Sequence, residues 1–289
     1  MESAEVKGTV SLVGTPIGNL GDMSPRALET LQNADLIAAE DTRTTAMLLE
    51  KYGITGAKVL PNHKFNEQNA AAGFVRDLLE GKNIALVTDA GMPCVSDPGY
   101  LLVEAAVEAG IPVTAVPGPC AAVTAVAVSG FNALSFAFYG FLPRTAGDVR
   151  KVLRRVEKEY SPLSVFYESP NRIIDTVELV GEVLPGCRVC VCNDLTKKFE
   201  RIYRGTPERV LSQLKSNPNA GKGEYVLLLE NRRSETETQE EKLSPEALLV
   251  DRMVKDGISA KEAVALLASE KVLPKRELYD AAVRLRELL

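Results

Sequence analysis

Four short segments of this sequence gather glycine, proline and acidic residues in the way ligand-holding turns do. The first is Gly14-Thr15-Pro16-Ile17-Gly18-Asn19-Leu20-Gly21 and the second is Glu40-Asp41-Thr42-Arg43. The third runs from Thr88-Asp89-Ala90-Gly91-Met92-Pro93 to Ser96-Asp97-Pro98-Gly99, and the fourth is Val116-Pro117-Gly118-Pro119-Cys120-Ala121. Glycine lets backbone groups come close to a ligand, and proline fixes the shape of the loop. The first segment is neither G-x-G-x-x-G nor G-x4-G-K-[ST] and holds no lysine, so dinucleotide and phosphate readings are weak. Taken singly, each segment also has a plain structural reading: Asp89 is a good turn former, and Asp41 and Arg43 suit a surface ion pair.

The segments gain meaning from the elements around them. Thr9 to Val13, Leu36 to Ala39, Val59-Leu60, Ile84 to Thr88 and Pro112 to Val116 read as short strands. Helices are expected after Ser24-Pro25, from Ala46 to Tyr52, from Glu67 to Glu80 and from Tyr100 to Ala109. This alternation predicts a parallel sheet covered by helices, and such sheets bind ligands at the carboxyl ends of their strands, where the four segments fall. Beyond a boundary near Gly130, strands are expected at Phe136 to Phe141, Leu163 to Tyr167, Arg188 to Cys192, Phe199 to Tyr203 and Tyr225 to Glu230. Helices at Val149 to Glu159, Ile173 to Val183 and Glu208 to Lys215 complete a second α/β domain, whose consecutive strands predict a mixed sheet. A polar, acidic stretch from Ser234 to Lys242 reads as a linker to three short helices opening at Ser244-Pro245, Ser259 and Pro274. The expected division is therefore 1–125, 126–233 and 234–289. The last part suits either an RNA or protein contact module or a helical cap packed on the body.

Composition narrows the class. Apolar residues make up 45% and charged residues 25% of 289, ordinary for a soluble globular protein, and no apolar run reaches membrane-spanning length. The acidic opening Met1-Glu2-Ser3-Ala4-Glu5 does not read as a signal peptide, so a cytoplasmic protein is expected. Five cysteines, an odd number, do not form a disulfide framework. Cys187, Cys190 and Cys192 alternate with Val189 and Val191 as a buried strand would, and His63 is the only imidazole, so no metal site is expected. The net charge of −5 is unevenly spread: residues 1–122 carry −7, residues 123–234 carry +5 and residues 235–289 carry −3. A positive middle segment fits a polyanionic partner, although scattered surface lysines and arginines would give the same count.

Further motifs stand in order along both α/β domains: Gly140-Phe141-Leu142-Pro143-Arg144, Phe166-Tyr167-Glu168-Ser169-Pro170-Asn171-Arg172, Leu195-Thr196-Lys197-Lys198-Phe199-Glu200 and Gly223-Glu224-Tyr225-Val226. Together with the four turns, they resemble the tetrapyrrole methylase family of S-adenosylmethionine-dependent methyltransferases. The closer resemblance is to its ribosomal branch, whose members methylate a cytidine ribose 2′-oxygen in small-subunit (16S) RNA. The usual Ser or Thr after Pro-Gly-Pro is Cys120 here, and the usual His before Arg172 is Asn171.

The resemblance implies a homodimer that binds S-adenosylmethionine in the cleft between the two α/β domains and acts on small-subunit ribosomal RNA or the 30S subunit. By matching positions, Ile17 and Leu20 would line the first loop, while Asp89, Ala90, Gly91 and Cys94 hold the methionine and ribose portions. Cys120 and Ala121 would add backbone contacts, and Tyr167, Glu168, Leu195 and Tyr225 would approach the adenosine. A ribose hydroxyl is a poor nucleophile, so Asp41 or Glu40 is expected to accept its proton or orient it, with Arg43 on a phosphate. Lys197 and Lys198 are second candidates for steering the nucleotide, or else an exposed charged strand end. Arg144, Arg150, Lys151, Arg154 and Arg155 are expected to meet RNA phosphates. Two other readings stay open on sequence alone: C-methylation of a tetrapyrrole, and a non-catalytic RNA-binding protein that keeps a cofactor pocket.

Overall fold

The computed structural model describes residues 7–158, 162–230, 244–270 and 272–288. Those up to 230 form one compact unit, and those from 244 onward form a second.

The first unit opens with five short strands, β1 (Val10–Val13), β2 (Leu36–Ala39), β3 (Lys58–Pro61), β4 (Ile84–Val87) and β5 (Val113–Val116). They lie side by side in the order β3-β2-β4-β1-β5, and every pairing is parallel, as the sequence predicts. Helices α1 (Pro25–Gln32), α2 (Thr42–Lys51), α3 (Glu67–Leu79) and α4 (Tyr100–Glu108) connect them. Strands β2 and β4 are buried along their whole length, as an interior parallel strand with two covered faces must be. Leu31, Ile37 and Val87 anchor the core on one face, and Phe74, Leu86 and Leu102 anchor the core on the other. Each such fully buried side chain contributes roughly 1.5–3 kcal/mol.

Helix α2 starts four residues earlier than expected, at Thr42, because Asp41 caps it: its carboxylate accepts the Arg43 N–H at 2.8 Å. After β5 comes α5 (Ala121–Ser129), which the sequence reading missed. It is apolar on all sides, so no amphipathic stripe marks it, and its N-cap, Cys120, makes no side-chain cap bond. Ala122, Ala125 and Val126 pack with Ile17 of the first loop against Val165, Cys190, Cys192 and Val226 of the second sheet. A helix that follows the first sheet thus builds the core of the second.

That second sheet comprises β6 (Ala137–Phe141), β7 (Leu163–Glu168), β8 (Arg188–Asn193), β9 (Arg201–Gly205) and β10 (Tyr225–Glu230), in the order β6-β7-β10-β8-β9. Only β6 and β7 are parallel; the other pairings are antiparallel, giving the mixed sheet expected. Helices α6 (Ala146–Lys158), α7 (Ile173–Val183) and α8 (Pro207–Lys215) bury Leu153, Val177, Val180 and Leu214 against its other face. The three clustered cysteines are buried strand and turn residues, with the sulfurs of Cys190 and Cys192 3.9 Å apart.

The second unit is three helices, α9 (Pro245–Asp256), α10 (Ala260–Ser269) and α11 (Lys275–Leu288). Ser244 caps α9, Gly257 ends it in left-handed backbone, and Ser259 with Glu262 forms the capping box the sequence predicts. Leu249, Val264, Leu267, Leu278 and Ala281 make its core, with Ala282 and Leu285 packed at its edge. The acidic stretch read as a linker lies outside the described residues.

Candidate active site

The turns that leave the strands of the first sheet are knitted to one another. Thr15 and Gly91 exchange backbone hydrogen bonds, Thr15 N–H to Gly91 O at 2.9 Å and Gly91 N–H to Thr15 O at 3.1 Å, joining the first loop to the third. The buried Thr15 hydroxyl donates to Thr88 O at 3.1 Å. Gly14 and Gly118 press their backbones together so closely that a Cβ on Gly118 would stand 2.8 Å from Gly14 Cα. The second loop joins through the Asp89 N–H, which points at Glu40 Oε2 from 3.4 Å.

Between these loops and the ends of β7, β8 and β10 lies a cavity of about 400 Å³. The structure brings Ile17, Asp89, Ala90, Gly91, Cys120, Ala121, Tyr167, Glu168, Leu195 and Tyr225 of the expected cofactor set to its wall, together with Glu40. Leu20 and Cys94 stand back from it. Leu20 lies in a short 3-10 turn where its carbonyl accepts from the Tyr52 hydroxyl, and Cys94, within the third loop, packs against the first sheet's core. Asp41, Arg43 and Lys197 also lie outside the lining. Several wall residues had no role assigned from sequence, notably Asp97, Ser96, Phe141, Ser169 and Glu224. All five sit inside motifs already singled out, and only the tertiary fold shows which members of a motif face inward.

The carboxylates differ in what holds them. The Arg43 side chain grips Asp41 with Nη2 to Oδ2 at 2.7 Å and Nε to Oδ1 at 3.1 Å, which keeps its carboxyl well below the usual range. Glu40 is raised instead, by burial and then by the charges of Asp89 and Asp41. Burial also raises Asp89 and, with the charges of Glu40 and Asp89, pushes Asp97 up to about 6. Across the cavity, burial pushes the Tyr167 hydroxyl up to about 12.

Glu168 spends its carboxylate inside the protein. It accepts from the Arg172 guanidinium at 2.6 Å, from the Thr176 hydroxyl at 2.8 Å and from the Ser169 N–H at 2.7 Å, and its side chain is fully buried. Tyr225, nearly fully buried, donates to Ala220 O at 2.9 Å, so the cavity meets its ring rather than its hydroxyl. Lys197 lays its stem along Gly18 and pairs with Asp194 at 3.0 Å and Glu224 at 2.7 Å.

A zwitterionic nucleoside with a sulfonium centre fits what this wall offers. The N-cap of α5, Cys120, makes no side-chain cap bond, and Cys120 and Ala121 line the cavity, so the start of the helix faces it with backbone N–H groups that suit an anionic group, the Ala122 N–H being turned to the Tyr167 hydroxyl. Ile17, Leu195 and Val226 make an apolar wall, Gly91 (φ +89°) lets the backbone approach closely, and the carboxylates of Glu40, Asp89 and Asp97 favour positive charge. Among the described residues, no group of three His, Cys, Asp or Glu side chains is placed to hold a metal ion.

This fold and this cavity define a methyltransferase of the tetrapyrrole-methylase type. The family model for tetrapyrrole (corrin/porphyrin) methylases matches residues 9–211, and the chain belongs to that family. Among relatives, it is 42% identical over 277 residues to the ribosomal RNA small subunit methyltransferase I of Halalkalibacterium halodurans, covering 95% of this chain and 94% of that one. It is also 42% identical to the protein of that name from Escherichia coli O157:H7, covering 96% and 95%. In fold it resembles the methyltransferase CobJ, with a TM-score of 0.57, 20% identity, and coverage of 78% of this chain and 96% of that one. The uroporphyrin-III C-methyltransferase of Thermus thermophilus, solved with S-adenyl homocysteine, gives a TM-score of 0.53 at 17% identity, covering 78% and 98%.

Proposed function

We propose that this chain transfers a methyl group from S-adenosylmethionine to the ribose 2′-oxygen of a cytidine in small-subunit ribosomal RNA. The chain is a methyltransferase, and near-full-length identity of about 40% to relatives named for small-subunit ribosomal RNA supports the acceptor. The observation that carries the chemistry is a cavity lined by the start of α5, an apolar wall and the raised carboxylate of Glu40.

When bound, the cofactor supplies a methyl group already activated by its sulfonium. Ile17, Gly91, Cys120, Ala121, Leu195 and the rings of Tyr167 and Tyr225 hold it, and Glu168 shapes the wall from behind through Arg172 and Thr176. Holding donor and acceptor together is the main contribution to rate. Of the two candidate bases, Glu40 takes the part: it lines the cavity and is a better proton acceptor than an ordinary carboxylate. Asp41 is locked to Arg43 and caps α2, so it positions the largely exposed Arg43 guanidinium to meet an RNA phosphate. Arg144, Arg154 and Lys198 extend the phosphate surface, with Arg150, Lys151 and Arg155 contributing while engaged with Glu182, Asp148 and the Tyr139 ring. The protein works in the cytoplasm as a homodimer. Exposed Leu134 and Val123 supply apolar surface that a second copy would cover, and sedimentation at working concentration tests this. No helix among the described residues is long and apolar enough to cross a membrane.

The assignment is tested by Glu40→Gln. Single-turnover methylation of small ribosomal subunits should fall by about a hundredfold, while S-adenosylhomocysteine affinity stays within about twofold. An unchanged rate would remove Glu40 from the chemistry. Asp41→Asn combined with Arg43→Ala should weaken RNA binding, and intact methylation in that variant would remove the pair from the RNA site.

A further inference from the structure

Strand β6 does not run evenly to its end. Phe138 pairs with Val165 and Phe141 with Tyr167, so β6 advances three residues where β7 advances two, and one residue is extra. Side chains alternate along a regular strand, so without that residue Phe141 would share a face with Tyr139, whose ring stacks on buried Phe166 at 5.0 Å. With it, Phe141 comes round to the side of Phe138, and both rings meet Tyr167 edge-on, at 5.5 and 4.9 Å.

The distortion is held on every side. Gly140 makes the turn at φ +66°, and a Cβ there would stand 3.1 Å from the Ser96 hydroxyl of the third loop. Cys94 and Ser96 in that loop themselves adopt left-handed backbone, both at φ +67°, which non-glycine residues keep only when their surroundings impose it. Beyond Phe141, the Arg172 guanidinium donates to Pro143 O at 2.8 Å and Leu142 O at 3.3 Å while held by Glu168. All this delivers to the cavity wall Phe141, a residue that is 61% exposed. Exposure alone would single out nothing, since Phe65 and Phe199 are more exposed; neither of those lines the cavity.

We propose that Phe141 is the stacking platform for the base of the acceptor nucleotide, with the exposed Arg144 on a neighbouring phosphate. The inference rests on the RNA reading above. An unpaired base presents two apolar faces, and an open aromatic ring at the mouth of a methyl-transfer cavity is what receives one once it leaves its stack. Glu40 and Asp97 line the same cavity, so a base held there brings its own ribose within the region where the carboxylates act. The bulge therefore serves the acceptor, which explains why the strand gives up regular pairing at that point.

The test uses the full chain, labelled S-adenosylmethionine and small ribosomal subunits at sub-saturating concentration, with calorimetry of S-adenosylhomocysteine alongside. Phe141→Ala should lower single-turnover methylation by about tenfold to a hundredfold, and cofactor affinity should stay within about twofold. Phe141→Tyr, which keeps the ring, should restore most of the rate, whereas Phe141→Leu, which keeps only bulk, should resemble the alanine variant. Wild-type methylation by Phe141→Ala overturns the proposal, and so does a fall in cofactor affinity that matches the fall in rate, since the ring would then belong to the adenosine. If the unaltered chain methylates no RNA, the RNA reading itself fails and this proposal fails with it.

Discussion

At the scale of single residues, what matters is which carboxylates are free to respond to a substrate. Asp41 and Glu168 are each tied by arginine, whereas Glu40, Asp89 and Asp97 face the cavity with their charged forms disfavoured. For Asp97 this has a consequence for stability. Its folded value, about 6, lies above the ordinary aspartate value of about 3.9, so the folded state binds the proton more tightly. Stability therefore falls as pH rises between those values and stays at the lower level above them. Asp97→Asn should be more stable than the unaltered protein at pH 7.5, by on the order of 1 kcal/mol after discounting solvent screening of a half-buried group. At pH 4 the advantage should vanish, and thermal melts at the two pH values check it; equal gains at both would contradict the electrostatic origin. Asp97 stands in a motif visible in the sequence, yet its type and neighbours suit a plain turn equally well. Its inward placement depends on the left-handed backbone of Cys94 and Ser96, which no local pattern announces.

At the scale of elements, the site depends on loops that close on one another without side chains in the way. Gly14 and Gly118 meet backbone to backbone, so neither neighbour can yield to an added methyl. Gly118→Ala should destabilise the protein by about 1–3 kcal/mol and abolish measurable S-adenosylhomocysteine binding in calorimetry. Gly73→Ala, in the middle of α3 with no atom within 4 Å of the new Cβ, should instead stabilise by about 0.5–1 kcal/mol and leave binding unchanged. A Gly118→Ala protein that binds normally would show that the two loops can part. Much of this level was legible: the alternation of short apolar runs with helical stripes placed the strands and put the four turns at their carboxyl ends. Helix α5 escaped because an Ala-Val run with no polar face and no capping side chain carries no periodic signal. The start of α2 is hidden in the sequence because Asp41 reads equally as a reactive group, whereas its local geometry is that of a cap. The extra residue in β6 leaves no trace in Phe138-Tyr139-Gly140-Phe141 beyond the glycine, since a bulge is defined by the partner strand.

At the scale of the whole molecule, the acidic first part and the basic middle part share the walls of the cavity, and the proposal assigns the basic part's outer surface to RNA. On and beside α6, Arg144 and Arg154 are exposed, whereas Arg150 and Lys151 are neutralised by Glu182 and Asp148. Reversing both Arg144 and Arg154 to Glu should weaken RNA binding and lower the slope of log affinity against log salt by about 2. Reversing Arg150 and Lys151 should do less, and an unchanged slope in both variants would move the RNA surface elsewhere, the three-helix unit being the next place to look. Mass mapping of small-subunit ribosomal RNA from cells with and without this chain decides whether the cavity serves ribose methylation of that RNA. One 2′-O-methylcytidine should disappear with the chain, return with the unaltered sequence and fail to return with Glu40→Gln. An identical modification map in both cells would contradict it.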